Sequence, residues 1–205
     1  MNEQLRHPLP VDRSWRHAAG TTQVADGLPR RAWTGDEVRR MIDAGIIDAD
    51  EPFELIGGEL VAKMQKGIAH EALKIALNEF WGKARPDHIR FAPESALRLA
   101  VYDEPEPDLF VFPKAIPLGD VRGDNVLLVV EIADSSLAHD RTVKMARYVS
   151  HGVREYWVVN AKTRVTTVFQ DPQPAGYARK FDVAGSERLT PLLVPELALR
   201  MDDLE

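Results

Sequence analysis

Apolar positions along the chain change period several times, and each change predicts an element. Behind "TGDE", where Thr34 with Glu37 three residues on forms a capping-box signature, Val38, Met41 and Ile42 fall at helical spacing, so a short first helix is expected to end near Gly45. "FELIGGELVAKM" (53–64) places apolar runs on both sides of Gly57-Gly58, a pair suited to the positive φ angles of a two-residue hairpin turn. From 68 to 83, Ala69, Leu73, Ala76, Leu77 and Phe80 recur on one helix face, which predicts a second helix packed on a sheet. "SALRLAV" alternates with period two before the break at "DEPEP". "DLFVF" and "VLLVVEI" then run apolar, the second long enough for a central strand, with a loop rich in Pro, Gly and Asp (113–125) between them. A third helix over 138–150 stops at His151-Gly152, and "REYWVVN" and "RVTTVFQ" follow as strands. The remainder, with "YARKFDV" and "LLVPELALRM", reads as short antiparallel strands and turns. This order predicts an α/β fold, a mixed β-sheet with helices on its faces.

Composition narrows the classes. The 205 residues suffice for one sizeable core, so a single domain over 32–205 is expected, preceded by a loose or partner-docked arm (1–31) without sustained period. Arg13, Arg16, Arg30 and Arg31 of that arm are candidates for contact with a partner's phosphates. The chain has no cysteine, so any metal must be held by oxygen or imidazole ligands, and a reducing compartment is expected. No stretch approaches the ~20 apolar residues of a membrane span and the start lacks a signal-peptide pattern, which predicts a soluble cytoplasmic protein without membrane partners. The net charge of −6 argues against non-specific coating of nucleic acid and leaves local basic patches open.

Candidate chemistry centres on two carboxylates. Glu131 closes the run "VLLVV" and continues into Ile132 and Ala133, and a charge within a buried sheet costs several kcal/mol unless it is paired or binds an ion. Asp108 follows Pro107 at the mouth of "DLFVF". If the two strands are neighbours, the carboxylates converge in a pair suited to Mg²⁺ or Mn²⁺. A hydrolytic site also needs a lysine to orient or deprotonate water and to offset charge on a phosphoryl group. Alternation puts Ala133 where such a lysine could stand; Lys144, on the next helix one turn after Asp140, is the substitute. Each residue also has an ordinary reading. Asp108 suits a strand start, Glu131 could reach solvent at a strand end, and Lys144 could pair with Asp140 on a solvated face. His70, at the start of the second helix, could face the cleft or simply pack. Tyr148, one turn after Lys144, could line it. His151 suits a helix C-terminus, and Tyr156 and Trp157 suit the core.

"EPDLFVF", "LLVVEIADSS", "HDRTVKMARYVSHGVREYWVVN" and "FELIGGELV" together resemble the putative restriction endonuclease (Uma-type) family of the PD-(D/E)XK nuclease superfamily, over roughly 32–205. The resemblance implies a restriction-endonuclease-like core and metal-dependent phosphodiester hydrolysis. It assigns Pro107-Asp108 to the PD element, Glu131 to the second acidic position, Lys144 to the helix lysine of this branch, and Glu59 to a hairpin glutamate pointing into the cleft. Ala133 in the usual lysine slot, Gly57 where relatives often carry aspartate and Asn160 at a strand end depart from the pattern. The expected activity is that of a Mg²⁺- or Mn²⁺-dependent endonuclease on DNA, with a homodimer expected from the symmetry of a duplex. The alternatives are a nuclease-fold module without catalysis that binds nucleic acid or protein, and a hydrolase of smaller phosphoesters.

Overall fold

The computed structural model describes residues 21–23, 29–134 and 136–204. Most of the expected arm, including Arg13 and Arg16, lies outside them. Within the arm, Thr21–Gln23 (β1) pairs antiparallel with Pro29–Arg31 (β2). Helix α1 (Gly35–Asp43) starts at Thr34 with both halves of the capping box formed, as its sequence predicts. Strands β3 (Phe53–Ile56) and β4 (Glu59–Ala62) form the expected hairpin, and the turn needs its glycines, since Gly57 and Gly58 take φ of 60° and 81°.

Helix α2 (Ile68–Ala84) leads into β5 (Ile89–Pro93), a strand whose short pattern "IRFAP" gave no sequence signal. β6 (Leu109–Pro113), β7 (Leu128–Ala133), β8 (Glu155–Asn160), β9 (Thr166–Gln173) and β10 (Gly176–Val183) complete a six-stranded sheet in the order β10-β9-β8-β7-β6-β5. Every pair is antiparallel except β7–β8. That parallel pair requires a crossover, supplied by a helical run in three parts: α3 (Leu137–His139), a π-helical turn (Asp140–Lys144) and α4 (Met145–Ser150). Among the described residues no helix is long and apolar enough to cross a membrane.

Side-chain alternation sorts the sheet into two faces. Leu109, Val111, Leu128, Val130, Ile132, Trp157 and Val159 pack against Leu73, Leu77 and Trp81 of α2 and against the C-terminal segment around Leu197 and Leu199. Phe110, Phe112, Val129, Ala133, Tyr156 and Val158 pack against Tyr148 of α4. Trp81, rather than Phe80, goes deepest on α2, and its indole N–H donates to the Leu197 carbonyl at 2.8 Å. Each large apolar side chain buried in this way contributes about 1.5–3 kcal/mol.

"SALRLAV" corrects its alternation-based reading. Leu97 and Leu99 are buried as a strand would bury them. The backbone, however, bonds within its own turn, Leu97 to Pro105 and Leu99 to Asp103, instead of joining a ladder. The returning limb of that turn clamps the hairpin: Gly58 N–H donates to Tyr102 O (2.7 Å), Glu104 N–H to Leu55 O (2.8 Å), and Gly57 N–H to the Asp103 carboxylate (2.7 Å). The hairpin is thereby held over the ends of β6 and β7.

Candidate active site

Asp108 sits immediately before β6, and Glu131 is the fourth residue of β7. Both side chains are buried, and both line a cavity of about 350 Å³. The cavity lies between the hairpin, the link 63–67, the start of α2 and the helical crossover. Alternation aims Glu131 at the face that carries Tyr148, so its carboxylate meets the crossover rather than α2.

Two groups meet at Glu131. Oε1 accepts from Lys144 Nζ at 3.0 Å and from the Tyr148 hydroxyl at 2.9 Å. Lys144 Nζ also donates to Glu54 Oε1 at 3.0 Å, and that oxygen accepts the Glu106 N–H at 2.7 Å. The π-helical turn carries both Lys144 and Asp140; such turns recur at functional sites. Asp140 accepts instead from Ser136 Oγ at 2.6 Å, so the simple Asp140–Lys144 surface pair does not describe Lys144. Burial pushes the Glu131 carboxyl well above the ordinary range, against the pull of Lys144 and with help from Asp108, Asp140 and Glu54. Burial opposes the Lys144 ammonium, yet the charges of Glu131, Glu54 and Asp140 outweigh it and hold the amine protonated. Three acids crowd one ammonium, and a cation in the cavity would favour the ionised form of Glu131.

Asp108 is held differently. Its Oδ2 accepts the Ile132 backbone N–H at 2.7 Å, tying it to β7 beside Glu131. Its Oδ1 accepts from Lys66 Nζ at 2.8 Å and lies 3.0 Å from His70 Nε2. Burial works to raise this carboxyl, but His70 and Lys66 outweigh it and bring it down to about 2. Lys66 also reaches Glu94 Oε1 (2.7 Å), which accepts from Lys74 (2.8 Å). Lys74 pairs with Glu71 (2.7 Å), and Glu71 Oε1 lies 3.2 Å from His70 Nδ1. The contacts close a ring from Asp108 back to Asp108. Glu94 occupies a left-handed backbone conformation, φ 44°, with its N–H on the Asp108 carbonyl at 3.2 Å. Non-glycine residues held in that region are costly and concentrate at functional sites.

The structure therefore brings Asp108, Glu131, Lys144 and His70 to one cavity. Tyr148 is fully buried and reaches Glu131 from behind rather than lining the space. Glu59 stands at the turn end of the hairpin, opposite Ile56, with Oε1 enclosed and without a hydrogen-bond partner among the described residues. It is not among the lining residues; the hairpin acid that lines the cavity is Glu54. Glu54 carries the same signal as Glu131, an acid at a core-facing strand position, inside a shorter pattern. Lys66 and Glu94 had no signal, because both lie just outside regular elements whose packing brings them together. His151 caps α4 as expected, and its Nε2 lies 3.1 Å from Asp103 Oδ2.

Among the described residues no three His, Cys, Asp or Glu side chains form a ready-made metal cage. The donor set nonetheless fits a hard cation, because Mg²⁺ is commonly held by one or two carboxylates with waters and substrate phosphates completing the shell. Both hydrogen bonds described for Glu131 fall on Oε1, and the cavity has room for waters.

A search among curated proteins gives no match. Among solved structures, that of a putative nuclease belonging to DUF820 from Anabaena variabilis ATCC 29413 is similar. Its TM-score is 0.62 at 17% identity, with 83% of this chain and 96% of that chain covered, a likeness of fold. The family model described as "Uma2: Putative restriction endonuclease" matches residues 36–202. Because that span contains the clamped hairpin, all six strands of the large sheet and every charged group around the cavity, the chain belongs to this family.

Proposed function

We propose that the chain is a Mg²⁺- or Mn²⁺-dependent endonuclease that hydrolyses phosphodiester bonds in DNA. The observation that carries this reading is the convergence of Asp108 and Glu131 on one cavity with the Lys144 ammonium between Glu131 and Glu54. The family description and the nuclease title of the similar structure support it. Asp108 and Glu131 would hold the cation, which supplies Lewis-acid polarisation of the phosphoryl group and eases deprotonation of the attacking water. Lys144 stays charged, so its part is to position that water and to offset the negative charge that develops on phosphate oxygens, not to remove a proton. Tyr148 fixes the Glu131 carboxylate, while His70 and the Ile132 N–H fix that of Asp108. Glu59 is assigned no contact with substrate here; Glu54 takes the hairpin's place by holding Lys144. Two copies related by a dyad would match the symmetry of a duplex cut on both strands.

One observation favours the non-catalytic binding module: ammonium groups already neutralise both carboxylates, Lys66 at Asp108 and Lys144 at Glu131. Calorimetric titration of Mn²⁺, alone and with a phosphorothioate DNA duplex, separates the two. The nuclease reading expects binding that Asp108→Ala abolishes. Absence of binding in the wild type under both conditions would favour the module.

A further inference from the structure

We propose that Lys66 is a displaceable resident counter-cation, whose ammonium occupies the place on Asp108 Oδ1 that a divalent ion would take and moves onto Glu94 when the ion binds. The inference rests on the reading of Asp108 as a metal ligand. The two lysines at the site differ in how they are held. Lys144 comes from a helical turn, is nearly sealed (9% exposed) and is gripped by two buried glutamates. Lys66 comes from the link 63–67, outside any helix or strand, and its side chain is 31% exposed. Moving Lys66 therefore breaks no regular structure and uncovers little core.

Its destination is already in contact. Glu94 Oε1 is 2.7 Å from Lys66 Nζ, hardly different from the 2.8 Å to Asp108 Oδ1, so the ammonium is shared between the two acids. Glu94 is half open to solvent (45% exposed), and its left-handed backbone is tied to the Asp108 carbonyl, which keeps the receiving carboxylate beside the vacated one. A divalent ion on Asp108 would repel the ammonium at the distance of direct contact. Glu94 allows Lys66 to retreat without losing its partner. The cost of this exchange weakens metal binding in the absence of substrate. It falls when a phosphate of nucleic acid offers the freed ammonium a second anion.

The test is the Mn²⁺ dissociation constant, by calorimetry on the full chain, for wild type, Lys66→Met, Lys74→Met and Asp108→Asn, with thermal melting to confirm that each is folded. Lys74 is the control for charge alone, since it joins the same ring through Glu94 and Glu71 rather than through Asp108. Lys66→Met should bind Mn²⁺ about tenfold more tightly than wild type, while Lys74→Met stays within about threefold. Binding by Lys66→Met where wild type shows none would support the proposal equally. Unchanged or weaker binding by Lys66→Met, or equal tightening by both lysine variants, would overturn it while leaving the metal site intact if Asp108→Asn still abolishes binding. Binding that survives Asp108→Asn, or no binding by any of the four proteins either alone or with the phosphorothioate duplex, would remove the metal-site reading and this inference together.

Discussion

Glu131 and Glu155 stand on the neighbouring strands β7 and β8, both sealed from solvent, and face opposite sides of the sheet. Glu155 meets neutral donors. Its Oε1 accepts from the Trp157 indole (2.9 Å) and the Gln170 amide (2.8 Å), and its Oε2 from the Leu192 N–H (2.6 Å). It does not line the site cavity, and among the described residues no cation acts on it. Glu131 meets an ammonium, a hydroxyl and an open space, with other acids close enough to raise its proton affinity further. Burial raises both carboxyls. What differs is whether neighbours finish the group's hydrogen bonding or leave it beside an open cavity, so a buried acid is complete within the core in one case and available for the proposed chemistry in the other.

The sharpest way to break this contrast is to remove each acid and ask which property fails. Glu131→Gln retains the oxygen for Tyr148 and leaves Lys144 with Glu54. Cleavage of plasmid DNA in Mn²⁺ should therefore fall by at least about 10²–10³-fold, the scale of losing a charge-stabilising group. Its melting temperature should shift by no more than about 3 °C. Wild-type cleavage in this variant would end the assignment of Glu131 to the site.

Glu155→Ala should do the reverse. It strands three buried donors and should cost about 3 kcal/mol. By scanning calorimetry that corresponds to a melting point roughly 6–12 °C lower. Mn²⁺ affinity should stay at the wild-type value. A loss of metal binding at unchanged stability would show that the two faces of the sheet are not independent.

Asp108 sharpens the comparison from the other side, because its neighbours lower its carboxyl to about 2 from the ordinary 3.8. A depressed folded-state value means that the ionised form stabilises the fold above about pH 4, and that this share is lost as the pH falls from about 4 through about 2. Over that window wild type should lose about 2 kcal/mol more than Asp108→Asn in acid-urea unfolding. Parallel curves for the two proteins would mean that Lys66 and His70 do not hold the carboxylate in solution. The raised acids Glu131 and Glu155 act with the opposite sign, since their ionisation costs stability as pH rises, so only the difference between variants is diagnostic.

Much of this architecture was legible wherever a pattern was long or its turn chemistry specific. The capping box at Thr34, the Gly57-Gly58 hairpin, the face of α2 and the apolar run of β7 all rest on neighbours within a few residues. "SALRLAV" failed because alternation reports which side chains are buried and not what the backbone bonds to. β5 was missed because five residues, two of them exposed, hold too little period. At the site, an acid inside an apolar run exposed Glu131, and the need for a lysine on the next helix, together with the family resemblance, exposed Lys144.

The sequence by itself determined a mixed sheet with helices on its faces, the absence of thiolate chemistry and the two acids worth attention, because period, composition and local sterics are properties of nearby residues. Only the tertiary structure decided which hairpin acid enters the cavity. It also set the π-helical turn that aims Lys144 and the ring that joins Asp108 to Lys66, Glu94, Lys74, Glu71 and His70. Those partners lie up to 90 positions apart, as Lys144 and Glu54 do. Their meeting depends on strand order and on the clamp that seats the hairpin, which no local pattern records.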